Sequence, residues 1–131
     1  FWRELLASIP AEMMLCVENV MEAEPYMPAA VAKAVGDPRL RLCLDLGHAN
    51  VCAKGTPAPA WVEEFAPYLA HIHLHNNDGG ADRHAGLFDG ALDIVSLMRQ
   101  ADALAPNATF TVESIEAETS LVRLFEAGVV G

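Results

Sequence analysis

Residues 42–50 read LCLDLGHAN, a short apolar run that stops at Asp45, with Gly47 and His48 close behind. A run of this length suits a buried strand, and a carboxylate at its end must find a cation, a hydrogen-bond donor or water. The pattern recurs along the chain: Met14 to Val17 stops at Glu18, Ile72 at His73, and Phe110 to Val112 at Glu113. If the runs are parallel strands joined by helices, all these side chains emerge at one carboxyl-terminal edge, where such folds place their active sites. The spacing agrees, because 27 residues separate Glu18 from Asp45 and 28 separate Asp45 from His73, room for a helix and two short loops. The 40 residues between His73 and Glu113 leave space for a longer loop.

The intervening segments carry helix signals. Pro28 fits the first turn of a helix that runs to Val35, and Gly36, Asp37 and Pro38 end it before a strand at Arg41 to Leu44. A second helix is expected from near Pro59 to near Tyr68, with Trp61, Val62, Phe65 and Leu69 as its core-facing stripe. Leu92 to Leu104 and Glu118 to Ala127 read as two more, the last stopped by Gly128, and Trp2 to Ile9 reads as the end of an earlier helix. The expected fold is α/β, a partial (β/α)8 barrel of four successive parallel strand and helix units, with residues 1–131 forming one domain. Its strands are expected to be apolar on both faces. A complete barrel takes ~250 residues, and Phe1 is not an initiator methionine, so the amino-terminal half of the barrel is expected to lie outside this sequence. The sheet would then be an open half-barrel with two exposed edges, marginal or self-associating by itself, and any targeting signal would lie in the other half.

Composition narrows the function. In 131 residues, 53% are hydrophobic and the mean hydropathy is +0.23, which excludes a disordered polymer. No apolar run reaches the ~18 residues of a membrane helix. Cys16, Cys43 and Cys52 are odd in number and do not suggest a disulfide framework, so a reducing cytoplasm is the expected setting. Eighteen acidic against eight basic residues give a net charge of −10, which repels nucleic acid and anionic membranes and favours small-molecule chemistry.

Each candidate residue has an ordinary alternative. Glu18 and Glu113 could be structural ion pairs, and Asp45 could cap the helix or turn that follows it. Gly47 would let the backbone turn sharply between Asp45 and His48. The segment HIHLHNND at His71 to Asp78 is the strongest local signal, because strand alternation sends His71, His73 and His75 to one face. Asp82, Arg83 and His84 form a second cluster in a glycine-containing loop that could equally be a flexible surface loop. Taken together, the ordinary readings require unrelated coincidences at equivalent positions of successive units. Glu18, Asp45, His73 and Glu113 make a mostly hard ligand set, which suits Mn²⁺, Mg²⁺ or Co²⁺ and does not exclude Zn²⁺.

The motifs LCVENV, LCLDLGHAN, HIHLHNNDG, DRH and TVES, in this order, resemble the second half of the xylose isomerase-like barrel superfamily across nearly the whole chain. That superfamily includes sugar and sugar phosphate isomerases and epimerases as well as abasic-site endonucleases. For the epimerase branch, the resemblance implies that Glu18, Asp45, His73 and Glu113 bind one divalent metal from the ends of the fifth to eighth strands. It further implies that His48 and His71 contact substrate hydroxyls. The implied chemistry is proton transfer beside a carbonyl through an enediolate, with Glu18 and Glu113 exchanging the proton. In the endonuclease branch, His48, Asp82 and His84 correspond to ligands of an additional metal.

The leading expectation is therefore a metal-dependent sugar (or sugar phosphate) isomerase or epimerase with a small-molecule sugar substrate. Only Lys54 and Arg83 lie where they could meet a substrate phosphate. The alternatives are a multi-metal phosphodiester hydrolase of abasic-site type, a sugar-acid or inosose dehydratase built on the same ligands, and a non-catalytic half-barrel that associates through its edges, as a homo-oligomer or with another partner.

Overall fold

Four strands, β1 (Leu15–Glu18), β2 (Leu40–Asp45), β3 (Leu69–Leu74) and β4 (Thr109–Val112), run parallel in the order β1-β2-β3-β4. The computed structural model describes residues 1–130. Between the strands lie α2 (Tyr26–Val35), the pair α3 (Leu46–Cys52) and α4 (Ala58–Phe65), and α5 (Ile94–Leu104); α1 (Trp2–Ser8) precedes them and α6 (Ala117–Glu126) follows. This is the parallel α/β half-barrel expected from the sequence, with β1 and β4 as its edges. No helix among the described residues is long and apolar enough to cross a membrane.

The helices form where the chain supplies both an apolar stripe and a stop. In α4, Trp61, Val62 and Phe65 are fully buried, and they meet Leu44, Ile72 and Leu74 in the main core. Burying each of these side chains contributes roughly 1.5–3 kcal/mol, so this layer between sheet and helices holds the unit together. Gly36, at φ 67°, ends α2 with its N–H on Ala32 O, a left-handed cap that glycine adopts without a Cβ penalty. Asp93 caps α5, accepting from the Ser96 N–H at 3.0 Å.

Two expectations are corrected. The strands are apolar only on the face toward the helices; the other carries Arg41, His71, His73, Thr109 and Thr111, none of them fully buried, beside Cys16 and the buried Cys43. Most of these side chains keep contact with solvent on the side of the sheet away from the main core, where polar groups need no buried partner. The segment after Asp45 is also not a sharp glycine turn but the short helix α3, and Gly47 is absent from the residues of positive φ. Glycine is required there for a close approach described below.

The register between β2 and β3 slips by one residue: Leu42 pairs with Leu69, but Cys43 pairs with His71 and Asp45 with His73. Had the first register continued, Asp45 would stand beside Ile72, whose side chain points to the helix side. The irregularity at Ala70 therefore brings a carboxylate and an imidazole onto the same side of neighbouring strands.

Candidate metal centre

Glu18 and Asp45 end their strands, His73 is the last residue but one of β3, and Glu113 follows β4 directly, its N–H bonded to Leu74 O at 2.9 Å. The four side chains come together at that edge. His73 Nδ1 lies 3.2 Å from Glu18 Oε1, 3.5 Å from Glu113 Oε1 and 3.7 Å from Asp45 Oδ2. Asp45 is fully buried, while His73, Glu18 and Glu113 keep 18%, 32% and 35% of their side chains exposed, so the cluster opens to solvent on one side.

Three carboxylates around one imidazole nitrogen repel one another unless a cation offsets them. Cys43, beneath the cluster, registers that negative field: burial, and then the charges of Glu18, Cys16, Asp45 and Glu113, push its thiol pKa up to about 12. Burial opposes ionisation of Asp45, yet hydrogen bonds from the His75 ring and the His48 backbone N–H hold its carboxyl below the usual carboxylate range. The His48 N–H contact, 2.7 Å, also makes Asp45 the N-cap of α3, so the capping role and a place in the candidate ligand set fall on one residue. Donor atoms of Asp45, His73 and Glu113 lie within 4.8 Å of one another, as do those of Glu18, Asp45 and His48, so Asp45 is common to two groups whose mostly carboxylate donors fit a divalent ion.

A second cluster adjoins the first. His48 Nε2 and His84 Nε2 lie 3.2 and 3.3 Å from Asp82 Oδ2, and His75 Nδ1 lies 3.5 Å from Asp82 Oδ1. His48 Nδ1 meets the Asn19 carbonyl at 2.9 Å and His84 Nδ1 meets the Glu113 carbonyl at 2.8 Å. A carbonyl only accepts, so both Nδ1 atoms carry hydrogen and both Nε2 atoms face Asp82, the orientation that suits a metal ligand. For His48, burial lowers the pKa, but the Asn19 carbonyl and the charges of Asp45, Asp82 and Glu18 raise it overall. The Glu113 carbonyl, against the effect of burial, and then Asp82 raise that of His84. His84 adopts φ 47°, unusual for a side chain with a Cβ, and strain of this kind persists where the surrounding bonds fix the residue. The loop containing DRH is thus a built part of the site.

His71 sits one pleat deeper. Its Nδ1 and Nε2 lie 2.6 and 2.9 Å from the hydroxyls of Thr109 and Thr111, which leaves it lining the floor beneath His73. Lys54 is exposed, and Arg83 is drawn to Asp78 at 3.4 Å, so Arg83 is already partnered within its own loop.

The supporting residues were harder to foresee. Asn19 is 1% exposed and bonds the backbone of Asp45. Asn76, fully buried, donates to Leu87 O and Leu92 O and accepts from the N–H groups of Asn77 and Leu92, which ties the 85–92 loop to the end of β3. Asn77 donates to Gly47 O at 3.0 Å. His75, the third histidine of the alternating run, is wholly buried, with Nε2 at 2.9 and 3.1 Å from the two Asp45 oxygens. The period of the run pointed to His75, whereas nothing in the sequence marks Asn19 out from an ordinary loop asparagine.

Residues 1–127 match a protein family described as xylose isomerase-like TIM barrel. Among solved structures, a D-tagatose 3-epimerase-like protein superposes with a TM-score of 0.68 at 21% identity, over 86% of this chain and 46% of that one. The TTHB071 protein from Thermus thermophilus, in a structure soaked with ZnCl₂, superposes with a TM-score of 0.69 at 30% identity, over 89% of this chain and 46% of that one. An uncharacterised protein of Methanocaldococcus jannaschii, MJ1311, is 20% identical over 106 residues, which are 81% of this chain and 36% of that protein. The chain therefore spans less than half the length of these relatives.

Proposed function

The chain belongs to the xylose isomerase-like TIM barrel family, and from that premise we propose that it supplies the metal-binding half of a sugar isomerase or epimerase. The observation that carries this reading is the convergence of Glu18, Asp45 and Glu113 on His73 Nδ1 at the carboxyl-terminal edge of the sheet. The likeness to an epimerase-like structure and to one soaked with zinc supports it. The amino-terminal half of the barrel, with its loops, would complete the substrate pocket.

Glu18, Asp45, His73 and Glu113 would hold one divalent ion, of Mn²⁺, Mg²⁺, Co²⁺ or Zn²⁺. When bound, that ion would supply positive charge against the negative charge that develops on substrate oxygens. Glu18 ends one edge strand and Glu113 follows the other, with His73 between them, so they would address a substrate carbon from different sides. One carboxylate removes the proton beside the carbonyl, the enediolate forms, and the other returns a proton. Asp45, buried and held by His48 and His75, cannot swing toward substrate and stays a ligand. His48 would contact substrate hydroxyls at the open side, and His71 would form the floor. A substrate phosphate gains no support from Arg83, which is paired with Asp78.

The second cluster favours one further reading, multi-metal hydrolysis of a phosphodiester, with His48, Asp82 and His84 holding an additional ion. The net charge of −10 opposes a nucleic-acid substrate. A dehydratase using the same first ligand set is separated from the isomerase only by its product.

The test is metal analysis of the full-length protein beside its Glu18→Gln and Glu113→Gln variants, with ketoses incubated in deuterated water. Metal lost in both variants, and deuterium entering the sugar at a rate that falls about 10²- to 10⁴-fold in them, is the expected result. A metal-free wild-type protein would refute the proposal, and cleavage of an abasic-site duplex without sugar exchange would transfer it to the hydrolase.

A further inference from the structure

Ala70 has no partner on β2. Leu42 pairs with Leu69 and Cys43 with His71, so one residue of β3 is left over between two successive pairs, which makes a bulge. A bulge bends its strand and re-aims the side chains that follow, and His73 follows this one by three residues. The way β3 leaves the bulge therefore sets the angle at which His73 meets Glu18, Asp45 and Glu113.

The ladder alone holds an extra residue poorly, because its backbone groups fall out of step with the neighbouring strand. Two side chains of the inner face make up for this. Arg41, on β2, donates from Nη2 to the Leu69 carbonyl at 3.1 Å, and Thr109, on β4, donates from its hydroxyl to the Ala70 carbonyl at 3.5 Å. The bulge is thus gripped from both neighbouring strands. The Arg41 contact is the shorter, and a hydrogen bond from a charged donor is about twice as strong as a neutral one. Arg39, Arg83 and Arg123 pair with Asp37, Asp78 and Asp89, whereas Arg41 meets no carboxylate at that range among the described residues. Its charge is spent on the backbone of β3. Arg41 also lies four residues before Asp45 on β2, about 13 Å along the strand, which sets it apart from the candidate ligands.

On the basis of the functional reading above, we propose that Arg41 is a positioning residue of the metal cluster. Through the Leu69 carbonyl it holds the bulge at Ala70, and the bulge holds the aim of His73. Arginine suits the task because its planar fork keeps its charge at every working pH.

The experiment uses the full-length protein and two readouts: amide exchange in the metal-free state, and Mn²⁺ affinity by electron paramagnetic resonance. In Arg41→Met, which keeps the stem and loses the donor, the amides of residues 70–73 exchange faster and Mn²⁺ binds about tenfold more weakly. Arg41→Lys, which restores a cationic donor, recovers most of both. In a variant lacking Ala70, the pairs of Leu42 with Leu69 and of Cys43 with His71 follow one another with no residue left over. Adding Arg41→Met to that variant costs no further Mn²⁺ affinity. Unchanged Mn²⁺ affinity in Arg41→Met, even with a lower melting temperature, would overturn the positioning role and leave the functional reading in place. The same tenfold loss with and without Ala70 would overturn it too, because the effect would not pass through the bulge. Should the variant lacking Ala70 not fold, the lysine decides: Arg41→Lys as impaired as Arg41→Met overturns the proposal. A wild-type protein that binds no Mn²⁺ removes both readings, and one that binds Mn²⁺ without exchanging sugar protons removes the functional reading alone.

Discussion

The Asn19 side chain bonds both backbone polar groups of Asp45, donating from Nδ2 to its carbonyl at 3.0 Å and accepting its N–H at Oδ1 at 2.8 Å. The residue after β1 thus performs, for the last residue of β2, the pairing that a continued strand would provide. Asn19→Ala leaves the Asp45 N–H buried and unbonded, at a cost of about 1–3 kcal/mol. The expected outcome is a lower unfolding midpoint in denaturant together with weaker metal binding; an unchanged midpoint would show that water replaces the amide.

Gly47→Ala is expected to be more damaging than an alanine in a helix usually is. Alanine ordinarily favours helix over glycine, but here the added methyl would occupy the His75 ring. Either the ring or α3 must move, and overpacking of this kind costs about 1–3 kcal/mol. Thermal melting reads the loss, and metal titration reads the displaced Asp45 contact.

Asn76→Ala removes four hydrogen bonds at one buried position: two to the carbonyls of Leu87 and Leu92, and two from backbone N–H groups. A loss of about 3 kcal/mol is expected even after some of these groups find water. Amide exchange should accelerate across residues 85–92 and leave β2 protected, because the asparagine holds the loop rather than the sheet.

The cap of α5 should report on pH. The Ser96 N–H and then its hydroxyl hold the Asp93 carboxyl below its ordinary pKa. A carboxylate whose folded pKa is depressed contributes stability above its unfolded value, and that contribution disappears as pH falls through the folded one. The melting temperatures of wild type and Asp93→Ala should therefore differ at pH 7 and converge from about pH 4 downward. A gap that stays constant with pH would show that the charge contributes nothing.

Much of this arrangement was legible in the chain. Apolar runs that stop at Glu18, Asp45, His73 and Glu113, spaced for crossovers, are enough to place four strands in parallel and their last side chains on one edge. Three features were not legible. Helix α3 carries a glycine and no broad apolar stripe, so periodicity gives no reason to expect it after Asp45. The polar inner face of the sheet depends on which side of each strand meets the helices, and the bulge at Ala70 alters that phase in a way that composition does not record. The loop path that brings His48, Asp82 and His84 together, a grouping that only the family resemblance implied, is set by Asn76 and by the positive φ of His84, both properties of tertiary contact.

The side chains of the first cluster come from the carboxyl-terminal ends of consecutive strands of a single sheet, and those of the second from α3 and from the segment that follows β3. Under the proposed function, the residues that would hold the ion pass together as one module, and recombination at the open margins of β1 and β4 would exchange only the loops that the rest of the barrel contributes. A library of chimaeras joined at those two margins would be expected to vary in the sugar accepted and to agree in the ion bound.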